Sequence, residues 1–194
     1  IDSGDGNDLV IGGTANDMIT TGVGLDMVIG DAGTITANAG VILRIESVEQ
    51  PGGGVDTIHV GTESDVAFGG SDGDSIDGGL TGDDMLFGDH GLAVRVDGSA
   101  QANDLISTGY TTGGGADTIH DPSGNNWIIG GLANDGITTG PGVDLIVSDY
   151  GDIVRNDSDL LLSATTVAPA IGGNDTIDSG DGNDLVIGGT ANDM

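Results

Sequence analysis

The chain has 194 residues, of which 32 are acidic and three are basic, so its formal net charge is -29. This charge excludes nucleic acid as a partner, because nucleic-acid-binding domains present basic surfaces to the phosphates. A chain this acidic is usually disordered. Here, however, 36% of the residues are apolar and they recur at fixed positions, which indicates an ordered repeat.

The acidic residues are almost all aspartates, with 29 Asp and three Glu. The short Asp side chain suits tight turns and the coordination of hard cations. Glycine is abundant at 39 residues, aromatic residues make up 3%, and cysteine is absent. Neither a conventional core nor a disulfide framework is expected, so oxygen ligands to divalent cations must stabilise the fold. No apolar run approaches the roughly 20 residues that span a bilayer, so we expect no membrane span.

Repeats occur at two larger scales. The sequence from Ile1 to Met18 returns unchanged from Ile177 to Met194, which gives a period of 176 residues. The chain begins with Ile rather than Met, so we expect it to be a window of a giant, repetitive protein. Within the period lie three blocks of about 59 residues, each made of short repeats followed by an insertion. The boundaries are 1–50 (repeats 3–29, insertion 30–50), 51–111 (repeats 51–87, insertion 88–111) and 112–169 (repeats 112–147, insertion 148–169), and 170–194 begins the next period.

The short repeats are nonapeptides, such as SGDGNDLVI from Ser3 and GGTANDMIT from Gly12. Thirteen such units follow the pattern G-G-x-G-x-D-x-U-x. The pattern resembles the repeats-in-toxin (RTX) family. The resemblance implies an all-β fold, a right-handed parallel β-roll or β-solenoid with calcium in the Gly/Asp turns.

The residues support this fold independently. Glycine-rich turns of six residues allow positive φ angles and turn carbonyl oxygens inward, and the Asp at the sixth position adds a carboxylate. Two units form one flattened coil of 18 residues, so Asp residues 18 apart stack on one edge. The stacked pairs are Asp8 with Asp26, Asp56 with Asp74, Asp117 with Asp135, and Asp175 with Asp193. With turn carbonyls, the predicted ligands of several calcium ions per period are Asp8, Asp17, Asp26, Asp56, Asp65, Asp74, Asp84, Asp117, Asp135, Asp144, Asp175, Asp184 and Asp193.

A solenoid also needs one inward apolar side chain in each short strand. The second residue after each repeat Asp, or after Asn126, is apolar in every unit, and only Ala67 is small. The predicted core residues are Val10, Ile19, Val28, Ile58, Ala67, Ile76, Leu86, Ile119, Ile128, Ile137, Ile146, Ile177 and Val186.

Two units depart from the pattern. In the third block, Asn126 replaces the repeat Asp and Asp121-Pro122-Ser123-Gly124 replaces the Gly-Gly turn. We therefore expect the site that pairs with Asp144 to be weakened or lost. In the second block, the unit GGLTGDDML carries one extra residue. This favours Asp84 as the ligand and Asp83 as the bulge.

The insertions lack the turn pattern and contain apolar stretches, so they are interpreted as β-hairpins or as one added, longer coil. Each carries one arginine, namely Arg44, Arg95 and Arg155. A surface pair with a nearby Asp is the favoured interpretation, and such pairs stabilise little.

The side chains on either side of each inward residue must point outward, because strand side chains alternate. In every second unit these outward residues are apolar, which gives one sheet of the coil an apolar outer face. The residues are Leu9, Ile11, Met27, Ile29, Val66, Phe68, Met85, Phe87, Trp127, Ile129, Leu145 and Val147. A strip of this size must be covered, either by the insertions or by a neighbouring solenoid. We expect the insertions to be the nearest cover, with self-association completing it through this assembly face.

No catalytic constellation is apparent, and we expect no enzyme. His59 and His120 occupy equivalent positions a full block apart, which argues against a shared zinc ion. The nested repeats are typical of an extended array. The favoured function is a calcium-stabilised structural repeat of a secreted or cell-surface adhesin, filament, sheath or surface-layer protein. The alternatives are an RTX-like secretion and folding module of a secreted enzyme or toxin, and an ice- or surface-binding solenoid.

Overall fold

The computed structural model describes residues 1–39, 41–94, 105–107, 112–156 and 160–194. The described residues form three β-sheets and no helix. Two of these sheets are parallel and have seven strands each, and the third is antiparallel with six strands. This arrangement confirms the prediction of an all-β parallel β-roll.

The two parallel sheets, A and B, alternate along the chain, so that one strand of each makes one coil. Sheet A contains β1 (Asp2–Gly4), β3 (Met18–Thr21), β7 (Thr57–His59), β9 (Ser75–Asp77), β13 (Thr118–Asp121), β15 (Gly136–Thr139) and β19 (Thr176–Asp178). Sheet B contains β2 (Leu9–Ile11), β4 (Met27–Ile29), β8 (Val66–Phe68), β10 (Met85–Phe87), β14 (Trp127–Ile129), β16 (Leu145–Val147) and β20 (Leu185–Ile187). Most of these strands are three residues long, because a glycine-rich turn precedes and follows each of them.

The core between sheets A and B is a double row of aliphatic side chains. Parallel pairing is in register, so that Leu86 lies between Ala67 and Ile128 on the neighbouring strands. Eleven of the predicted inward residues, from Val10 to Ile146, are buried in this core. Val60 joins them from a turn and was not predicted. The burial of each of these aliphatic side chains stabilises the folded state by about 1.5–3 kcal/mol.

The two predicted core residues of the last coil are less buried. Ile177 is partly buried, and Val186 is 40% exposed. Both lie in β19 and β20, which pair with a neighbouring strand on one side only.

The insertions form antiparallel β-hairpins, which confirms the first of the two interpretations. One hairpin leaves the solenoid after every second strand of sheet B. The three hairpins join into one sheet, here called the cover sheet. Its strands are β5 (Gly33–Asn38), β6 (Val41–Ser47), β11 (Leu92–Val94), β12 (Leu105–Ser107), β17 (Gly151–Arg155) and β18 (Leu161–Thr166), in the spatial order β5-β6-β11-β12-β17-β18.

The cover sheet packs on the outer face of sheet B and forms a second core. Ile45, Ala93 and Ile153 of the cover sheet are buried there. Phe68 and Phe87 stack beneath it, with their ring centroids 4.3 Å apart. The guanidinium of Arg155 lies over the Trp127 ring, so this arginine contacts an aromatic face. Arg44 pairs with Glu46 at 2.8 Å rather than with an Asp, and Arg95 lies outside the described residues.

The expectation that the insertions cover the apolar face is confirmed, and little of the face is left for the predicted assembly. Nine of its twelve residues are buried under the cover sheet and Met85 is half-buried, because the chain's own hairpins occupy the place of a partner. The buried residues are Met27, Ile29, Val66, Phe68, Phe87, Trp127, Ile129, Leu145 and Val147. Only Leu9 and Ile11, in the first strand of sheet B, stay exposed, at 55% and 43%. This face therefore presents no continuous surface to another molecule.

A pair of substitutions tests the role of the covered face. Phe68→Ala should lower the free energy of unfolding of the calcium-bound chain by about 3–5 kcal/mol, because it removes a buried ring and leaves a cavity. Leu9→Ala, on the same face but exposed, should change it by less than about 0.5 kcal/mol. Denaturant unfolding in saturating calcium measures both. Equal, small effects would contradict a sealed interface between sheet B and the cover sheet.

Candidate calcium sites in the turns

The turns between strands line two long edges of the solenoid. Turns that lead from sheet A to sheet B form the first edge, and turns that return from sheet B to sheet A form the second edge. On both edges the sixth turn residue precedes the next strand and points its side chain along the solenoid axis.

On the first edge these side chains form a continuous hydrogen-bonded ladder. The backbone N–H of each residue donates to Oδ1 of the residue in the next coil, over 2.7–3.0 Å. The ladder runs through Asp8, Asp26, Asp65, Asp84, Asn126, Asp144 and Asp184.

The second edge carries an equivalent ladder, with N···Oδ1 distances of 2.6–3.2 Å. It runs through Asp17, Asp56, Asp74, Asp117, Asp135, Asp175 and Asp193. The two ladders together contain all thirteen aspartates that the sequence singled out. The four predicted stacked pairs are neighbours in them, whereas pairs across an insertion, such as Asp17 with Asp56, were not predicted.

The second carboxylate oxygen is the atom that points to a cation. Oδ2 is buried and without a hydrogen-bond partner in ten of the thirteen aspartates. These are Asp8, Asp26, Asp56, Asp65, Asp74, Asp84, Asp117, Asp135, Asp144 and Asp175. In nine of the ten, all except Asp8, Oδ1 accepts the ladder hydrogen bond. Burying a carboxylate oxygen without a partner is costly unless a cation or a proton compensates it.

Backbone carbonyls converge on the same points. A Cβ placed on Gly88 would overlap both Oδ2 of Asp117 and the carbonyl oxygen of Gly130 in the next coil, and one on Gly69 would overlap Oδ2 of Asp74 and the Gly88 carbonyl. Only glycine leaves this space free. Among the described residues no three His, Cys, Asp or Glu side chains form a metal cluster, so carbonyls must complete each ligand set. An all-oxygen set of carboxylates and carbonyls fits calcium, which takes six to eight oxygen ligands.

The pKa values show the cost of these sites when no cation is bound. Burial raises the pKa of Asp56 to about 6, of Asp65 to about 8 and of Asp74 to about 9. The pKa of Asp117 rises to about 10, first through burial and then through the negative charge of Asp89. The folded chain therefore holds carboxylates that favour a proton at neutral pH, and a divalent cation can take the place of that proton.

Three further aspartates organise the turns that contain the insertions. Asp31, Asp89 and Asp149 follow the last strand of each block after one intervening residue, and all three are buried. Each accepts one N–H where the chain returns from its hairpin and a second N–H from the next coil. The donors are Gly54 and Ser71 for Asp31, Gly115 and Leu132 for Asp89, and Gly173 and Thr190 for Asp149. The sequence reasoning missed this role, although the recurrence of Asp at each block end was its signal.

The residues that depart from the repeat pattern have defined hydrogen bonds in the turns of the first edge. Asp84 is in the ladder and accepts from the Asp65 N–H at 2.7 Å, whereas Asp83 is exposed and accepts from the Asn125 N–H at 2.8 Å. The assignment of Asp83 to the bulge was wrong, because its N–H donates to the Ser64 hydroxyl at 3.0 Å and it fills the regular fifth position of the turn. Thr81 pairs with Thr62, which leaves Leu80 as the extra residue. Asn126 keeps the ladder intact, since its Oδ1 accepts from the Asp84 N–H at 3.0 Å. Whether calcium binding toward Asp144 is weakened stays a prediction.

The histidines are closer together than their sequence separation implied. His59 and His120 lie in sheet A on either side of the strand that carries Asp77, with Nδ1 3.4 Å and 3.7 Å from its carboxylate oxygens. The two histidines are a full block apart in sequence, but the inference that they are therefore far apart in space was wrong. His90 is buried, contacts the Ser71 hydroxyl at 3.1 Å, and has its pKa lowered by burial.

The fold and its turns define the class of protein: a parallel β-roll with two rows of glycine- and aspartate-rich turns. The family model for the RTX calcium-binding nonapeptide repeat matches four copies, at residues 2–34, 51–85, 111–146 and 172–194. These matches cover more than half of the chain, and the chain belongs to this family. The RTX repeat is a structural, calcium-binding module. No curated protein and no solved structure matches the chain. Among the described residues no helix is long and apolar enough to cross a membrane.

The raised pKa values predict an inverted pH dependence without calcium. A raised folded-state pKa stabilises the fold fully below the unfolded value of 3.8, and this contribution is lost as pH rises through about 6 to 9 for Asp56, Asp65 and Asp74. The metal-stripped chain should therefore be more stable at pH 5 than at pH 8, whereas calcium should bind more tightly at pH 8. Unfolding curves followed by circular dichroism check this. Metal-free stability that rises with pH would contradict it.

A second test separates the ladder from the cation site. Asp74→Asn keeps an Oδ1 acceptor but replaces the orphaned Oδ2 with an N–H2 donor, so it should lose bound calcium while the ladder survives. Asp72→Asn is the matched control, because Asp72 is exposed in the same turn and carries the same charge. Calorimetric titration with calcium should show a lower stoichiometry for Asp74→Asn only. Equal stoichiometry in the two variants would show that Asp74 is not a ligand.

Proposed function

We propose that the chain is a calcium-stabilised structural repeat of an extracellular adhesin, filament, sheath or surface-layer protein, in which successive 176-residue units continue one solenoid. The observation that carries the proposal is the fit of the repeated sequence to both ends of the structure. The coil β1–β2 and the coil β19–β20 have the same sequence. One stacks on β3 and β4, and the other stacks on β15 and β16.

Equivalent residues of the first and last coils have the same identity but different exposure, depending on which side a neighbouring coil covers. Val10 has a coil after it and is 6% exposed, whereas its equivalent Val186 is 40% exposed. Ile11 has no coil before it and is exposed, whereas its equivalent Ile187 packs against the core beneath the cover sheet. A unit on each side would bury both positions at once. The exposed ends of the solenoid thus match one another.

The cover sheet supports the same continuation. Its strands β5 and β18 lie at opposite edges and each has a partner on one side only. Between hairpins, the strands pair with Leu92 opposite Glu46 and with Asp152 opposite Ser107. The same strand register places Thr34 of a following unit opposite Thr165. It also places Ile35 of that unit opposite Ala164, which continues the row of side chains that face sheet B. The edge strands would then pair with each other instead of with foreign chains.

An extracellular location is part of the proposal. A chain with a net charge of -29 and desolvated carboxylates folds where calcium is abundant and resists folding where it is scarce. Such a chain can leave the cell unfolded and become rigid outside. Self-association would then follow from the ends or from other surfaces, since the apolar face of sheet B is covered within the chain.

A cross-linking experiment tests the continuous solenoid. In a chain of two consecutive units, Thr165→Cys in the first unit and Thr34→Cys in the second should form an intramolecular disulfide when calcium is bound. Directly opposed residues bring their Cβ atoms to about 4.5–5.5 Å, and the chain has no other cysteine. Mobility on a non-reducing gel, with and without calcium, measures the product.

The matched control is Asn38→Cys in place of Thr34→Cys. Asn38 lies four residues further along the same strand, roughly 13 Å away at 3.3 Å per residue. The Thr165 and Thr34 pair should cross-link much faster than the control pair, and only with calcium. Equal rates for the two pairs, or an unchanged rate in chelator, would reject the continuous array.

A further inference from the structure

The turn at residues 121–126 places its acidic side chain differently from every other turn of the first edge. Its sixth residue is Asn126, whose Nδ2 donates to the carbonyl of Ser123 in the same turn at 3.3 Å. A donor therefore stands where the other turns of the ladder hold a carboxylate oxygen. Asn126 preserves the ladder but offers no negative ligand at this point.

The first residue of the same turn is Asp121, which is 1% exposed. Its Oδ1 accepts from the Ser123 N–H at 3.4 Å, and its Oδ2 is buried with no hydrogen-bond partner. Oδ2 of Asp84, in the preceding coil, is also buried without a partner. Two orphaned carboxylate oxygens thus come from adjacent coils.

Both oxygens converge on one point above Gly78. The position that a Cβ would take on Gly78 is 2.5 Å from Oδ2 of Asp121 and 3.1 Å from Oδ2 of Asp84. Glycine leaves this volume open, and Gly78 donates its N–H to the His120 carbonyl at 2.9 Å, which holds the coils together beside it. Two ionised carboxylates cannot donate to each other, so this contact needs a cation or a proton between them.

The geometry points to a calcium site of unusual composition: we propose that Asp84 and Asp121 together bind one ion between the fourth and fifth coils. The carboxylate missing at the sixth position of the turn is supplied from the first position. The first positions of the other turns on this edge carry no acid; they are Ser3, Thr21, Val60, Gly78, Thr139 and Ser179. The acid gained at the first position and the acid lost at the sixth position thus occur in one turn and compensate each other.

This inference rests on calcium binding by the repeats, and the number of bound ions tests it. Native mass spectrometry of the full chain in calcium should show one ion fewer for Asp121→Asn than for the unsubstituted chain. Asp83→Asn is the matched control, because Asp83 adjoins Asp84 but is exposed and hydrogen-bonded to Asn125. The control should keep the full number of ions. An unchanged count in Asp121→Asn, or an equal loss in Asp83→Asn, would overturn the site.

A rescue variant keeps the test decisive if Asp121→Asn folds poorly. Asp121→Thr combined with Asn126→Asp gives the turn the same first and sixth residues as the turn at 139–144, which begins with Thr and ends with Asp. It should regain folding in calcium and the full ion count. Failure of this double variant to recover the ion that Asp121→Asn loses would reject the compensation. If the unsubstituted chain bound no calcium at all, the proposed function itself would fail, which is a separate result.

Trp127 supplies an independent readout. It is the single tryptophan of the chain and directly follows Asn126, so terbium emission excited through its indole reports ions bound near this turn. Asp121→Asn should reduce this emission several-fold, whereas Asp83→Asn should not change it. Undiminished emission from Asp121→Asn would contradict the site.

Discussion

The structure depends on a counterion for two files of buried carboxylates. Most ladder aspartates use Oδ1 to accept an N–H from the neighbouring coil, and their Oδ2 is buried without a hydrogen-bond partner. A coil buries about two aliphatic side chains between sheets A and B, and each contributes about 1.5–3 kcal/mol. This gain is small beside the cost of desolvating two unpaired carboxylates. We expect calcium in the turns to reverse the sign of that cost, which couples ion binding to folding.

The cover sheet explains how so thin a core becomes a rigid unit. Sheet B is buried on both faces, as parallel sheets usually are, and the bulky side chains Phe68, Phe87 and Trp127 lie on its outer side. The outer face of sheet A, by contrast, carries Thr, His and Asp side chains and stays in water. The insertions thus do more than interrupt the repeat. They add a third layer and remove an apolar face that would otherwise promote aggregation.

Local spacing predicted those parts of the molecule that are themselves local. The nonapeptide period identified the ladder aspartates and the inward residues from Val10 to Ile146, because one coil follows directly from 18 residues. The neighbours across an insertion could not be predicted in this way, since Asp17 meets Asp56 only after the hairpin returns the chain to the edge. For the same reason, the sequence did not reveal that His59 and His120 are close together. It also did not decide whether the insertions or a neighbouring solenoid cover sheet B. Asp121 was recognised as a departure from the pattern, but its approach to Asp84 depends on stacking between coils.

The two edges of the solenoid tolerate sequence change in different ways. On the first edge the turns are uninterrupted, and in the proposed Asp84 and Asp121 site the lost carboxylate is replaced from within the same turn. On the second edge alternate turns are opened by insertions of more than twenty residues, which carries a loop-closure cost that grows slowly with length. Asp89 offsets that cost by joining Gly115, where the hairpin returns, to Leu132 in the next coil. Because a carboxylate that accepts from two N–H groups closes the turn there, hairpins of different length and sequence can be inserted while the aspartate ladder beside them continues unbroken.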